Sequence, residues 1–310
     1  MSGEVIRSAA IGLDVGGTHV QAGAVVTDGN STQVNGEARS IPSPSQKSSL
    51  EIIQEIGNLI VRVKNSAEQN GLQVEVCGIG MPGPFDYKNG ISKMTGENAK
   101  FAAAYDQDFK TPFQEMSGLP VFFVGDAEAY GLGVIAKEFP NEARLLAIPI
   151  GTGLGGAFIV DGKIREELPE VTQSQIPPDG IWNIKYQGQN FEEAVSKRAI
   201  ERGFRDLTGI SAEVVEIAAA GRTPDGLEAR SVFRKFGRDL GYGLQEVLSD
   251  FKPTRIAIGG NISKASDLFI ETLISALEDQ GHGDIPISVL NDDDYTVIGA
   301  AQYALNQLQK

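Results

Sequence analysis

Apolar residues near the start of the chain come in short runs broken by glycine, a pattern that belongs to strands rather than helices. Ile11-Gly12-Leu13-Asp14-Val15 runs into Gly16-Gly17-Thr18-His19, resumes at Ala22-Gly23-Ala24-Val25-Val26 and stops at Asp28-Gly29. Residues 6–37 are therefore predicted as a β-meander. From Leu50 to Asn70 the period changes: Ile52, Ile53, Ile56, Leu59, Ile60 and Val63 recur at helical intervals, which predicts a surface helix followed by a strand at Leu72 to Ile79. Met81-Pro82-Gly83-Pro84 continues neither element, because two prolines fix φ and withhold donors. A rigid loop is expected there, at the carboxyl end of a strand, where α/β sheets take ligands. Pro120 to Val124 reads as another strand, ended by Gly125-Asp126, and Ala127 to Lys137 as a helix with Asp126 at its first turn.

The second half opens as the first does. Leu145 to Ile150 meets Gly151-Thr152-Gly153-Leu154-Gly155-Gly156, then Ala157 to Val160 and a reversal at Asp161-Gly162. One glycine hairpin is thus repeated, once per half. Arg165 to Asn190 is polar and proline-bearing and reads as a substrate-facing flap. Helices are predicted at Phe191 to Phe204, Ser211 to Ala220 and Leu227 to Leu248. A strand at Thr254 to Ile258 runs into Gly259-Gly260-Asn261-Ile262, followed by a helix from about Lys264 to Asp279 and a strand at Ile285 to Leu290. The closing segment, Tyr295 to Leu308, is predicted as a helix that crosses back to the first half. The class is α/β, and 310 residues exceed the size at which one core stops growing, so two domains are expected.

Composition narrows the partners. The 37 glycines have no collagen-like period and belong to turns. A net charge of −14 works against a polyanionic partner, and the chain starts almost at a strand, with no room for an N-terminal helix-turn-helix; no nucleic-acid partner is expected. No stretch reaches membrane-spanning length and no signal segment opens the sequence, so a cytoplasmic protein with no membrane partner is expected. The single cysteine, Cys77, lies in the apolar run Val74 to Ile79 and reads as a buried thiol.

Any one glycine turn is explained by a tight hairpin alone. Three of them, each fed by an apolar strand, suit backbone amides gathered around phosphates. A P-loop is excluded by the missing Gly-Lys-Ser/Thr ending, and a dinucleotide fold is disfavoured because strands, not helices, follow the first two turns.

Taken in order, Asp14-Val15-Gly16-Gly17-Thr18, Gly78-Ile79-Gly80-Met81-Pro82-Gly83-Pro84, Gly151-Thr152-Gly153-Leu154-Gly155-Gly156 and Gly259-Gly260-Asn261 resemble the motifs of the ROK family of repressors, open reading frames and kinases. The resemblance spans nearly the whole chain. It implies the actin, hexokinase and Hsp70 architecture, two ribonuclease-H-like domains facing across an active-site cleft, with ATP and Mg²⁺ as cofactors. Residues 1–130 with the helix 295–310 would form the smaller sugar kinase domain, and 131–294 the larger nucleotide-binding domain. By the same resemblance Asp14 approaches the Mg²⁺ through water, and Gly16, Gly17 and Thr18 receive the transferred phosphoryl. Gly151, Thr152 and Gly153 hold the other phosphates, and Gly259, Gly260 and Asn261 pack by the adenosine. Asp126 is the catalytic base and binds the sugar with Pro82, Gly83, Asn98, Gly125 and Glu192, the last paired with Ser196. A homodimer is implied.

Three departures stand out. Gly125 replaces the asparagine that normally precedes the catalytic aspartate, removing an amide's contacts. The Glu-x-Gly-His sequence expected after the second hairpin is missing; that region reads Glu166-Glu167-Leu168-Pro169-Glu170, and only His19 and His282 exist in the chain. Glu128, Glu167 and Glu170 are weaker candidates for the vacated roles. The zinc-binding cysteine cluster of many relatives is also absent, so no structural zinc is expected. The expected activity is ATP-dependent phosphorylation of a sugar, at the 6-hydroxyl of a hexose such as glucose. The alternatives are a catalytically weak sugar-binding or regulatory relative and a nucleotide-hydrolysing, chaperone-like ATPase.

Overall fold

The first strands carry few polar residues because their sheet is covered on both faces. The computed structural model describes residues 7–28, 31–35, 39–95, 101–165 and 180–310. The chain divides into two compact units, Met1–Asn141 with Asp294–Lys310, and Glu142–Asp293. In the first, β1 (Arg7–Val15) turns back antiparallel into β2 (His19–Asp28), which also pairs with β3 (Ser31–Val34) and β4 (Arg39–Pro42). Next come α1 (Ser49–Gln69), β5 (Leu72–Met81), the small hairpin β6 (Phe85–Asp86) and β7 (Ile91–Ser92), α2 (Lys110–Ser117), β8 (Val121–Gly125) and α3 (Asp126–Lys137). The sheet order is β3-β2-β1-β5-β8, with β5 parallel to both β1 and β8.

Alternation along β1 sorts the two faces. Ile11 and Leu13 join Ile52, Ile56 and Ile60 of α1 in one cluster, whereas Ala10 packs with the C-terminal helix. The helix predicted over Leu50 to Asn70 begins with a capping box in which Ser48 and Glu51 satisfy each other's backbone N–H groups.

The second unit is built the same way. β9 (Arg144–Pro149) turns antiparallel into β10 (Ala157–Val160), which pairs with β11 (Lys163–Ile164). After β12 (Lys185–Tyr186) and β13 (Gln189–Asn190) come α4 (Phe191–Ala194), α5 (Lys197–Thr208), α6 (Val214–Gly221), α7 (Leu227–Gly243) and α8 (Gln245–Phe251). Then follow β14 (Arg255–Gly259), a 3₁₀ stretch at Asn261–Leu268, α9 (Ile270–Glu278) and β15 (Ile287–Val289). The order β11-β10-β9-β14-β15 repeats the path β3-β2-β1-β5-β8 of the first sheet, without a counterpart of β4: an antiparallel glycine hairpin on one side and parallel strands on the other. Leu146, Ile148, Phe158, Ile256 and Ile258 of this sheet share a core with Phe233, Phe236 and Leu240 of α7 and Phe251 of α8.

The closing helix, α10 (Tyr295–Leu308), belongs to the first unit and lies against β1 and β5. Its approach is close enough to dictate glycine. A Cβ on Gly12 would stand 1.8 Å from the Val297 carbonyl oxygen, and one on Gly78 1.8 Å from that of Ala300. Where α10 crosses α3 the same holds: Gly133 faces the Tyr295 carbonyl oxygen at 1.8 Å and Gly299 that of Ala129 at 1.7 Å.

Several predicted elements are divided. The helix expected over Leu227 to Leu248 breaks at Leu244, after the glycines of Gly241-Tyr242-Gly243 that favour neither continuation nor a strong cap. The one expected from Lys264 to Asp279 starts as the 3₁₀ stretch, with Ala265 outside helical geometry. That over Phe191 to Phe204 is interrupted at Val195-Ser196, where Val195 leaves helical geometry and Ser196 is extended. The flap proper, residues 166–179, lies outside the described residues, while 180–190 forms a 3₁₀ turn at Ile181–Asn183 and the β12–β13 hairpin.

Candidate active site

In the first unit three parallel strands end side by side. The register aligns Asp14 of β1 with Gly80 of β5, Gly80 with Val124 of β8, and Met81 with Gly125. With neighbouring strands about 4.8 Å apart, Asp14 and the end of β8 lie roughly 10 Å from each other along one sheet edge, with the Pro82–Pro84 loop leaving between them. Beside this row the β1–β2 turn is held from outside: Gly16 N–H donates to the His19 carbonyl at 3.0 Å, Ser43 N–H to that of Thr18 at 2.9 Å, and the Ser45 hydroxyl to that of Gly17 at 3.1 Å. Thr18 is exposed, Gly16 and Gly17 partly so.

Asp126 is the first residue of α3 and is exposed at the sheet edge; its Oδ1 accepts from Ala127 N–H at 2.8 Å. A carboxylate is favoured at this helix start by the helix dipole. Two residues on, Glu128 turns back over Gly125: a Cβ built on that glycine would lie 2.0 Å from Glu128 Oε2 and 3.5 Å from the Tyr87 hydroxyl. Tyr87 donates to the Met81 carbonyl at 3.1 Å. Burial pushes its phenol well above the ordinary tyrosine range, and the charges of Glu128 and Asp126 push the same way. Gly83, which follows Pro82, stands beside this group, a Cβ there falling 3.4 Å from the Tyr87 hydroxyl, and the Gly83-Pro84 bond is cis. Asn98, expected to bind sugar, lies outside the described residues.

In the second unit the two remaining glycine turns come together. Ile150 N–H donates to the Gly259 carbonyl at 2.8 Å, and Ile262 N–H to that of Ile150 at 3.1 Å. Gly260 has φ +79°, and a Cβ there would be 2.4 Å from the Ile150 carbonyl oxygen, so both conformation and contact require glycine. Asn261 is exposed beside it and takes a bond from Lys264 Nζ at 3.3 Å. Around Gly151 nothing lies within 4 Å of a would-be Cβ, Thr152 is exposed, and Gly151 O accepts from Lys197 N–H at 2.9 Å.

Glu192 sits against this hairpin. Its Oε2 accepts from Leu154 N–H at 2.9 Å and its Oε1 from Arg198 at 2.6 Å; a Cβ on Gly153 would fall 2.4 Å from Oε2. The carboxylate braces the Gly151–Gly156 turn. Ser196, one turn later, is buried and its hydroxyl has no partner.

Cys77 is buried within β5, its thiol pushed up by desolvation. Among the described residues no three His, Cys, Asp or Glu side chains converge as a metal site, and no helix is long and apolar enough to cross a membrane.

The ROK family model matches residues 10–307. The chain belongs to the ROK family. It is 25% identical over 287 residues to a glucokinase of Streptomyces coelicolor, covering 85% of each chain. It is 25% identical over 275 residues to an N-acetyl-D-glucosamine kinase of Aliivibrio salmonicida, covering 84% of this chain and 86% of the relative. A ROK hexokinase from Thermus thermophilus superposes with a TM-score of 0.77 at 22% identity, over 97% of this chain and 99% of that one. As a ROK protein the chain has the α/β actin-like ATPase fold with mixed sheets.

Tyr87, the bracing serines Ser43 and Ser45, and the seat of Glu128 were not legible from the motifs. Gly125 in place of asparagine was the one signal that could have led to Glu128.

Proposed function

We propose that this ROK protein is an ATP-dependent sugar kinase acting on the primary hydroxyl of a hexose or hexose derivative, with the 6-hydroxyl of glucose the first acceptor to test. The observation that carries the reading is the row of parallel strand ends that aligns Asp14, the Pro82–Pro84 loop and Asp126 on one sheet edge. The repeated sheet order supports two ribonuclease-H-like domains, the first taking the sugar and the second the nucleotide. The relatives named above are kinases of glucose, N-acetyl-D-glucosamine and hexose, so phosphorylation is what they share and the sugar is what varies.

The residues fit the cofactor. The open ground over Gly151 and the glycine-only contact at Gly260 leave a backbone-lined surface of the kind that receives phosphates and a purine, with Gly153, Gly259 and Asn261 at its margins. Asp14 would hold Mg²⁺ through water, and Gly16, Gly17 and Thr18 would line the path of the transferred group. When bound, MgATP supplies the phosphoryl group and neutralises its charge. Asp126 then accepts the proton of the attacking hydroxyl, while Pro82 and Gly83 shape the sugar's seat.

ADP release across a sugar panel tests this. Sugar-dependent turnover should fall by about 10²-fold or more in Asp126→Asn, the scale of general-base removal. ATP turnover indifferent to every sugar overturns the reading. Gly125 and the missing Glu-x-Gly-His favour a second reading, a sugar-binding or regulatory protein; sugar binding by calorimetry with no turnover would establish it. A homodimer is the assembly to expect, checked by light scattering.

A further inference from the structure

We propose that Glu128 is the residue that orients the sugar in place of the amide lost at position 125, and that it selects acceptors presenting a hydrogen-bond donor there. The inference rests on the sugar-kinase reading and deepens it. Its basis is a coincidence of volume. The side chain of residue 125 would begin where the Glu128 carboxylate stands, with Oε2 2.0 Å and Cδ 3.0 Å from the would-be Cβ. The Glu128 carboxylate thus occupies the space that a side chain at position 125 would enter, space that glycine leaves open to it.

The exchange changes the chemistry offered to a ligand. An asparagine amide both donates and accepts, whereas a carboxylate only accepts. It lies on the edge that carries Asp126, since it stands over Gly125, the residue directly before that aspartate. A sugar with its reacting hydroxyl at Asp126 therefore meets a second carboxylate at a neighbouring position. A free hydroxyl or an ammonium there gains a charge-assisted bond. An ether oxygen or a fluorine offers nothing to donate and is rejected. The substrate class is accordingly an unmodified hexose or a free amino sugar, with a donor at the position facing Glu128.

Steady-state kinetics would be measured on the full chain with ATP, using the best acceptor and its series of monodeoxy and monodeoxyfluoro analogues. In the wild type one ring position should show a penalty of about 10- to 100-fold in kcat/KM for both the deoxy and the fluoro analogue. Glu128→Ala should raise KM for the parent sugar by a similar factor, leave kcat within a few-fold and erase the penalty at that position. Glu128→Gln, which restores a donor without altering shape, should recover the fluoro analogue selectively. Gly125→Asn alone should weaken sugar use, because two side chains then compete for one volume, and Gly125→Asn with Glu128→Ala should restore it. Thermal melts confirm that each variant is folded.

If the wild type phosphorylates a sugar, Asp126→Asn abolishes turnover, and Glu128→Ala changes neither KM nor the analogue pattern, the inference is overturned and the kinase reading stands. If the wild type neither binds nor phosphorylates any sugar, both are overturned.

Discussion

Replacing Gly299 with alanine separates two effects of opposite sign. In an isolated helix the change favours folding by about 1 kcal/mol, because alanine loses less backbone entropy and is the best helix former. In α10 the new Cβ would lie 1.7 Å from the Ala129 carbonyl oxygen, 2.5 Å from Gly133 N and 2.7 Å from the Ala129 carbonyl carbon. All three are backbone atoms of α3, so no side-chain rotation relieves the clash. To reach an ordinary carbon–oxygen contact of at least 3 Å, the helices must part by more than an ångström, and α10 cannot retreat freely because Val297 and Ala300 are pressed against Gly12 and Gly78. Overpacking of a tight core costs about 1–3 kcal/mol, occasionally more, and the rigid opposition here puts the cost at or above the top of that range. The net loss is about 2 kcal/mol, a fall in melting temperature of roughly 4–8 °C.

The matching control is Gly203 in α5. A Cβ there meets Val232 at 3.5 Å, an ordinary contact, so Gly203→Ala should stabilise by up to about 1 kcal/mol. Urea and thermal melts of both variants read the signs directly. A Gly299→Ala protein as stable as the wild type, or more so, would refute the claim that backbone contact between α3 and α10 dictates the glycine.

Glu192→Ala should raise the KM for ATP several-fold with little effect on the KM for sugar, since Glu192 braces the hairpin through Leu154 N–H; an effect confined to the sugar would return it to the acceptor site. Gly260→Ala should unfold the second unit more readily and weaken nucleotide binding measured by calorimetry, because φ +79° and the 2.4 Å approach to Ile150 are both violated. Glu142 accepts from Thr254 at 2.7 Å and from Arg255 at 2.7 Å, and these bonds hold its carboxyl below the usual 4.5. A folded-state value lowered in this way stabilises above the unfolded value and loses that contribution as pH falls through the folded one. Glu142→Gln should therefore cost about 1 kcal/mol near neutrality in denaturant melts, with the gap closing as pH drops below about 4.5.

Much of the fold was legible because apolar period and glycine placement act locally. The glycine-broken apolar run of β1, the α1 stripe and the Asp161-Gly162 reversal each name their element without reference to anything distant. Helix breaks were not. At Leu244 and at Val195-Ser196 the apolar period continues across the interruption, and only tertiary packing decides that the axis bends: Phe191 lies so close to Gly243 that a Cβ there would stand 2.1 Å from its ring. At the site, the motifs name candidate residues but not what their side chains touch. The sugar contact expected of Glu192 rests on the family resemblance, and the motif does not show that its carboxylate also meets Leu154 N–H and Arg198. Glu128 read only as a weaker candidate for the vacated roles, because sequence cannot show that a side chain fills the space left by a glycine three residues earlier.

The two sheets share one strand order but not one use of their strand ends. In the first unit the parallel strands β1, β5 and β8 finish at Asp14, at the Met81–Pro84 loop and at Gly125-Asp126, so carboxylates and a stiff loop occupy the edge. In the second the corresponding strands β9 and β14 finish at Ile150-Gly151 and Gly259-Gly260, where backbone is presented instead. Carboxylates repel phosphates, and bare backbone amides attract them. On the sugar-kinase reading proposed above, the duplicated framework divides the two demands of phosphoryl transfer between the units. Acceptor side chains for the sugar would then stand on the first sheet's edge and backbone for the nucleotide's phosphates in the second unit, with Gly16, Gly17 and Thr18 of the first hairpin left for the transferred group.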